Sequence, residues 1–216
     1  MFRSIFRPYG PVWNFLNTIT DALALSLLWC FCSLPLITLG AATTALYDAA
    51  VHGIRYREAG LYHRFFRTFR SVFKTTSAVT VLWGVILLFG SFVLTLLNAA
   101  AEESTQAAIM GGAYRVIMLL PIGAFCWSAI ILSRFDQGFR KLTVTSLQFL
   151  IVHFFSSAAI AIVTWLAVWY CANNLLALTF LPAVTVLVWS LFAEAIFRKL
   201  GAGLEQEAMK EHSAEE

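Results

Sequence analysis

Four long stretches of this 216-residue sequence contain no aspartate, glutamate, lysine or arginine: residues 22–47, 75–101, 116–133 and 142–193. Soluble helices alternate a core face with a solvent face, so a soluble domain of this size does not contain so much continuous apolar sequence. A membrane-crossing helix needs roughly 20 mostly apolar residues. The first three stretches therefore provide about one crossing each, and the last is long enough for two.

Charge is scarce in the chain as a whole. Charged residues make up 12% and hydrophobic residues 60% of the sequence, whereas a typical soluble domain carries about 25% charge. We therefore expect an all-α fold, a polytopic transmembrane helical bundle with five to six membrane-embedded helices and a basic amphipathic interfacial helix. Residues 1–200 are expected to form this single domain, followed by a short acidic cytoplasmic tail at 201–216.

Motifs that support catalysis or cofactor binding are also missing. The sequence contains no His-Glu-x-x-His motif, no Walker-type or Rossmann glycine loop and no Gly-x-Ser-x-Gly element. All four cysteines lie inside the apolar stretches, without Cys-x-x-Cys or Cys/His spacing, so we expect buried thiols. We predict a protein that is not an enzyme and that has no catalytic residues, metal or cofactor.

Basic residues cluster between the apolar stretches. They occur at 55–74, at 134–141 and after the last helix, whereas the other two connections contain none. Because basic residues concentrate in cytoplasmic loops, these three clusters are expected inside. Six segments would also place the N-terminus inside, with Arg3 and Arg7, whereas five would place it outside. Six segments are therefore preferred.

The first apolar stretch contains a proline followed by small residues. Pro35 is expected to break the helix, because proline lacks an N–H group and clashes with the preceding turn. Small residues let helices approach closely in a membrane, so the next segment is interpreted as a second, tightly packed helix; one long, kinked crossing is the alternative. The candidate packing motif comprises Pro35, Thr38, Gly40, Ala41, Ala42, Thr43, Thr44 and Tyr47.

Residues 61–74 have the pattern of a basic amphipathic helix, which typically lies in the plane of the membrane interface. Its candidate residues are Phe65, Phe69 and Phe73 on the apolar face and Arg64, Arg67, Arg70 and Lys74 on the basic face. The segment is expected either to anchor the chain at the membrane surface or to dock a partner protein or anionic lipid.

Ionisable residues at membrane depth are few, and a charge there is costly. Asp21 and Asp48 lie 14 and 13 residues from Pro35 on opposite sides. In a hairpin they would lie at nearly the same depth, because a helix rises about 1.5 Å per residue. The candidate polar site comprises Asp21, Asp48, His52, His153 and Glu194. It would either fix helix packing or handle a proton or solute.

Several motifs resemble those of a known family. They are Asn17-x-x-x-Asp21, Ser33-Leu34-Pro35, the run at 38–47, Phe65-x-x-x-Phe69-Arg70-x-x-Phe73-Lys74 and Leu132-Ser133-Arg134-Phe135-Asp136. Together they resemble the signatures of YesL-like proteins, a bacterial family of polytopic membrane proteins with a domain of unknown function, over nearly the whole chain. Arg70 stands where lysine is common in that family.

The resemblance implies a cellular context. Genes of that family often neighbour carbohydrate uptake systems and glycoside-degrading enzymes, which implies a non-enzymatic accessory component of ABC-type carbohydrate uptake. The expected location is the bacterial cytoplasmic membrane, with multiple crossings and both termini inside. The expected partners are the lipid bilayer and ABC transporter permease or ATPase subunits, with no nucleic acid. The alternative is a small solute or proton-coupled transporter or channel that uses Asp21 and Asp48.

Overall fold

The computed structural model describes residues 11–56, 58, 60–101 and 104–214, with the backbone alone for 11–15 and 202–214. Within these ranges the chain is helical and has no strand. The helices are α1 (Pro11–Cys32), α2 (Leu39–Ala49), α3 (Leu61–Ala100), α4 (Thr105–Ile117), α5 (Leu119–Leu132), α6 (Phe139–Val152), α7 (Phe154–Asn173) and α8 (Leu181–Ala214). Short 3₁₀ segments precede α2 and α8, and a π-helical segment, Ala50–Arg55, continues α2.

Four helical spans are long and apolar enough to cross a membrane: Leu61–Ala100, Thr105–Leu132, Phe154–Asn173 and Leu181–Gly201. The shorter apolar helix Leu16–Cys32 lies within α1. The prediction of an all-α, polytopic membrane protein is therefore confirmed. The exposed surface agrees, because large apolar side chains such as Phe89 and Val168 are more than half exposed, as expected for residues that face lipid.

The second of these spans is interrupted at Met118, where α4 ends and α5 begins. Pro121 lies in the first turn of α5. It has no N–H group to donate to the carbonyl of Ile117, and its ring crowds that carbonyl. The interruption therefore follows from one residue of the sequence.

The α1 and α2 helices form a hairpin around Pro35. The indole Nε1 of Trp29 donates a hydrogen bond to Oγ1 of Thr43 at 3.1 Å. In one continuous helix, residues 14 positions apart would lie about 21 Å apart. The chain therefore reverses at Pro35, and the structure has the hairpin rather than one long, kinked crossing.

The central helix of the bundle is α2. It packs against α1, α3, α5 and α8, and every residue from 40 to 51 is buried. Small side chains permit this enclosure, because four helix backbones must approach a single one. The small-residue segment is therefore core, and not a surface that another protein could contact.

Both ends of the chain bear on the predicted organisation. The α8 helix runs through residue 200 without a break, so the predicted tail at 201–216 begins inside a helix. Arg3 and Arg7, which entered the topology prediction, lie outside the described residues.

The long α3 helix begins after Gly60, whose φ of 89° is accessible to glycine with little strain.

Candidate functional site

Two clusters of charged side chains lie at one end of the bundle, on different sides of α2. Asp48 is the centre of the first, and Glu194 of α8 is the centre of the second. Both carboxylate side chains are only 5% exposed. A buried carboxylate is costly unless it is paired and hydrogen-bonded, so the partners of each decide what the site can do.

The Asp48 carboxylate has three partners. Its Oδ2 accepts hydrogen bonds from Arg64 Nε at 3.0 Å and from Thr68 Oγ1 at 2.6 Å. Its Oδ1 lies 3.1 Å from Nδ1 of His52. Arg64 also donates from Nη1 to Oε2 of Glu58 at 2.8 Å. The α3 helix is thus joined to α2 by a hydrogen-bonded ion pair.

The π-helical segment that ends α2 determines where the two polar side chains at its end lie. The N–H of Tyr56 donates to the carbonyl of Val51, five residues earlier, at 3.0 Å. This wider turn shifts the following side chains relative to an α-helix; such segments often occur at functional sites. Arg55 and Tyr56 therefore reach α8, whereas His52 contacts Asp48 at the ordinary i, i+4 spacing of an α-helix.

Glu194 is held from two sides. Its Oε1 accepts a hydrogen bond from Nη2 of Arg134, and its Oε2 accepts one from the hydroxyl of Tyr56 at 2.8 Å. The guanidinium carbon of Arg134 lies 4.7 Å from the ring centroid of Phe197, a cation–π geometry. One turn before Glu194, Ser190 Oγ accepts from Nη1 of Arg55 at 2.8 Å.

Tyr47 lies beside the Glu194 cluster. Its side chain is 1% exposed, and its hydroxyl has no hydrogen-bond partner among the described residues. It interacts electrostatically with Glu194, Arg134 and Arg55. Consecutive residues on a helix point about 100° apart, which is why Tyr47 and Asp48 belong to different clusters.

The five residues of the predicted polar site do not form one cluster. Asp48 and His52 are together, and Glu194 belongs to the second cluster. Asp21 is partly buried on α1, with no hydrogen bond or ion pair to any described residue. His153 lies at the junction of α6 and α7, where its ring packs 5.7 Å from that of Phe149. Equal depth along two helices does not determine the direction in which each side chain points. The prediction that these five residues share one site is therefore wrong.

The structure places the small-residue motif in the core around α2. Thr38, Gly40, Ala41, Ala42, Thr43, Thr44 and Tyr47 are all buried, whereas Pro35 is exposed at the turn. The Gly40 N–H donates to Thr80 Oγ1 at 3.1 Å. A Cβ atom at Gly40 would lie 2.2 Å from that oxygen and 3.1 Å from the carbonyl oxygen of Thr76. The α2–α3 contact at this position therefore has room only for glycine.

The predicted interfacial helix is not a separate element. Residues 61–74 are the first turns of the 40-residue α3, with no break before the apolar run. The apolar side chains of this segment lie on two faces of α3, one packed on the core and one exposed. The sequence pattern predicts a single apolar face. Phe65 is buried and Phe69 is partly buried against the core. Phe73 is 39% exposed beside Tyr62 and Phe66.

The basic residues of this segment also have different environments. Arg64 is held by Asp48 and Glu58. Arg67, Arg70 and Lys74 are exposed and make no hydrogen bond or salt bridge with any described residue. The sequence predicts their common side of the helix correctly, but only the structure separates Arg64 from the rest.

Several contributors to the two clusters were not predicted as site residues: Tyr56, Thr68, Arg134, Arg55 and Ser190. The sequence does contain a general signal for them, because a buried carboxylate requires a cation nearby. It does not say which of the many arginines at this end pairs with which acid. In the described part of the chain, no three His, Cys, Asp or Glu side chains are grouped as metal ligands.

The fold and these clusters define a helical membrane protein whose buried carboxylates are held by arginines. Residues 22–99 match the family model described as "Protein of unknown function, DUF624". This match bears out the resemblance to YesL-like proteins over residues 22–99. The match includes Asp48 and Arg64, whereas Arg134 and Glu194 lie beyond it. No curated protein and no solved structure matches the chain.

Proposed function

We propose that this protein is a non-enzymatic accessory component of ABC-type carbohydrate uptake in the bacterial cytoplasmic membrane. It would act by contacting permease or ATPase subunits at the cytoplasmic side. The link to carbohydrate uptake rests on the family resemblance and its gene neighbourhoods. The contact surface is argued from the structure.

The orientation follows from charge. The basic residues Arg55, Arg64, Arg67, Arg70, Lys74, Arg134, Arg140, Lys141, Arg198 and Lys199 lie at the end of the bundle that holds both ion-pair clusters. The opposite end has Arg115, which donates to Asn98 Oδ1 at 2.7 Å. Positive residues accumulate on the cytoplasmic side, so we expect the cluster end, and both termini with it, to face the cytoplasm.

The observation that carries the proposal is the exposed aromatic face at the start of α3. A helix of 40 residues is about 60 Å long, and the hydrocarbon core is only about 30 Å thick. The uncharged run begins at Thr75, so residues 61–74 extend beyond it. There Tyr62, Phe66 and Phe73 form an exposed aromatic stripe, with exposed fractions of 47%, 43% and 39%. Aromatic residues are enriched at protein interfaces, which supports docking here.

The alternative, transport through a carboxylate site, receives less support from the geometry. A transport carboxylate must exchange its partner for a proton or solute. Asp48 is already satisfied by Arg64, Thr68 and His52. Asp21 has no partner among the described residues, but it does not lie in the same cluster as Asp48.

Affinity capture of the full chain from its native membrane in mild detergent tests the proposal, with the captured proteins identified by mass spectrometry. We expect permease or ATPase subunits of a carbohydrate uptake system. The double variant Phe66→Ser/Phe73→Ser should lose them. The matched control is Phe139→Ser, because Phe139 has the same 39% exposure as Phe73 and begins α6 at the same end. Only uptake subunits count as support; their absence from the wild-type sample, or equal capture by both variants, refutes the proposal.

A further inference from the structure

A polar cleft of about 430 Å³ opens at the cluster end of the bundle, between the start of α3 and the end of α5. Its walls include His63, Arg64, Arg67, Thr68 and Ser133, and the Asp48 carboxylate lies among them. Other grooves of this protein are mostly apolar; the groove between α7 and α8, for example, is lined by residues such as Leu166 and Val188. The polar lining of this cleft therefore favours a polar ligand.

The side chains that line the cleft carry a formal charge of +1, because Arg64 and Arg67 stand against Asp48 alone and the histidine is counted as neutral. Arg64 is shared between Asp48, which also lies beside His52, and Glu58, which does not line the cleft. Arg67 has no acidic partner among the described residues. An unpaired guanidinium in a polar cleft favours an anion, because arginine presents a rigid fork of N–H donors that fits carboxylate and phosphate oxygens.

The side chains of the cleft that can donate a hydrogen bond to a ligand are those of Arg64, Arg67 and His63. The hydroxyls of Thr68 and Ser133 already donate to Asp48 and to the carbonyl of Ile130. Arg64 uses Nε and Nη1 for Asp48 and Glu58, which leaves its Nη2 without an acceptor in the described part of the chain. Because these bonds fix the Arg64 guanidinium, Nη2 is positioned in advance for an incoming oxygen.

The position of the cleft decides between a lipid and a free solute. Ser133 is the last residue of the uncharged stretch 116–133, so this wall stands at the boundary of the hydrocarbon. Arg67 is two turns before Thr75, where the uncharged part of α3 begins. Phospholipid phosphates lie at this level, and the cytoplasmic leaflet attracts basic residues through its anionic lipids.

We propose that this cleft binds the phosphate of an anionic phospholipid headgroup, with Arg67 and Arg64 Nη2 as its hydrogen-bond donors. The cleft is contiguous with a groove along α3 that shares His63 and Arg67 and adds Phe66 and Arg70, so a third arginine lies next to the proposed phosphate position. The inference does not rest on the proposed role in carbohydrate uptake, because the ligand is part of the membrane itself.

The test uses the full chain in detergent, with phosphatidylglycerol added against phosphatidylcholine of the same acyl chains. Lipid binding is counted by native mass spectrometry and thermal stability is measured in parallel. We expect phosphatidylglycerol to be retained and to raise the melting temperature more than phosphatidylcholine does. Arg67→Gln should weaken phosphatidylglycerol binding by about tenfold, the contribution of one hydrogen bond to a charged group.

Arg140→Gln is the matched control, because Arg140 is an exposed arginine at the same end that does not line the cleft. It should bind phosphatidylglycerol like the wild type. Arg67→Gln and the wild type should melt alike in phosphatidylcholine, which shows that the variant is folded. Equal losses in the two variants would mean that lipid responds only to net charge, and the cleft assignment would be wrong.

Two further additions separate the lipid from soluble anions. Inorganic phosphate and glycerol 3-phosphate at millimolar concentration should neither displace phosphatidylglycerol nor stabilise the protein. Arg67-dependent stabilisation by either one would assign the cleft to a soluble phosphate instead and overturn the proposal. Lipid binding that is indifferent to Arg67→Gln would overturn it as well.

Discussion

Arg64 of α3 donates through Nε to Oδ2 of Asp48 on α2, across 3.0 Å. The two residues are 16 positions apart in sequence, and their side chains are 36% and 5% exposed. The pair therefore joins the start of α3 to the enclosed central helix. Arg64 therefore neutralises Asp48, one of the two carboxylates on which the transport alternative depends.

Asp48→Asn should lower the stability of the protein. Breaking a fully buried ion pair costs about 3–5 kcal/mol, but Arg64 is partly exposed and keeps Glu58, so we expect a loss of about 1–3 kcal/mol. Melting in detergent measures it. Asp21→Asn is the control, and it should change stability by less than about 0.5 kcal/mol, as is usual for residues outside such networks.

Asp48→Asn also distinguishes the proposed accessory role from the transport alternative. If the proposed role in carbohydrate uptake holds and Asp48 is structural, Asp48→Asn protein that accumulates should support growth on any sugar whose uptake requires the wild-type protein. Protein that accumulates and melts normally but no longer supports growth would favour the transport alternative.

Gly40→Ala should destabilise the α2–α3 contact. The added methyl group would meet Thr80 Oγ1 at 2.2 Å and the Thr76 carbonyl at 3.1 Å, and overpacking of this kind typically costs about 1–3 kcal/mol. Ala42→Leu, which enlarges a fully buried alanine, should be at least as harmful. Both effects are measured as a lower melting temperature or reduced accumulation.

Gly84→Ala is the control for this prediction. Gly84 is also a helical glycine of α3, but a Cβ atom there meets nothing within 4 Å. Its substitution should leave stability unchanged or raise it, because alanine is the better helix former. If Gly40→Ala melts like Gly84→Ala, the close approach at Gly40 does not exist.

Glu194→Gln and Arg134→Gln should each destabilise the link between α8 and the connection from α5 to α6, because each leaves a charged partner behind. The double variant should lose less than the sum of the two, which a double-mutant cycle measures directly. Tyr56→Phe removes one hydrogen bond to the same carboxylate and should cost about 1.5–3 kcal/mol. Additive effects of Glu194→Gln and Arg134→Gln would show that the two side chains are not coupled.

Cysteine labelling tests the orientation. In a background without the four native cysteines, Asn174→Cys should react with a membrane-impermeant reagent in intact cells, and Arg140→Cys should not. These two sites calibrate the assay for the predicted outer and inner ends. Phe2→Cys should resist the reagent if the N-terminus is inside, as six segments require; ready labelling there would support five.

Much of the organisation could be read from local features of the sequence. The uncharged runs predicted helical spans, Pro35 predicted the break after α1, and the small residues after it predicted a tightly packed helix. These features act within a few residues, through backbone geometry and side-chain volume. The two-faced pattern predicted for residues 61–74 is incomplete. This segment has one face buried on α2, one exposed aromatic face and one exposed basic face.

What the sequence by itself determined is the class of the protein, since a bilayer excludes charge and requires every backbone polar group to be satisfied within a helix. Only the tertiary structure decided which charges meet. Asp48 pairs with Arg64 and not with Asp21, and Glu194 pairs with Arg134 and not with His153. The reason is that helix rise fixes depth alone, whereas the rotation of each helix is set by packing around α2, and a side-chain contact requires both.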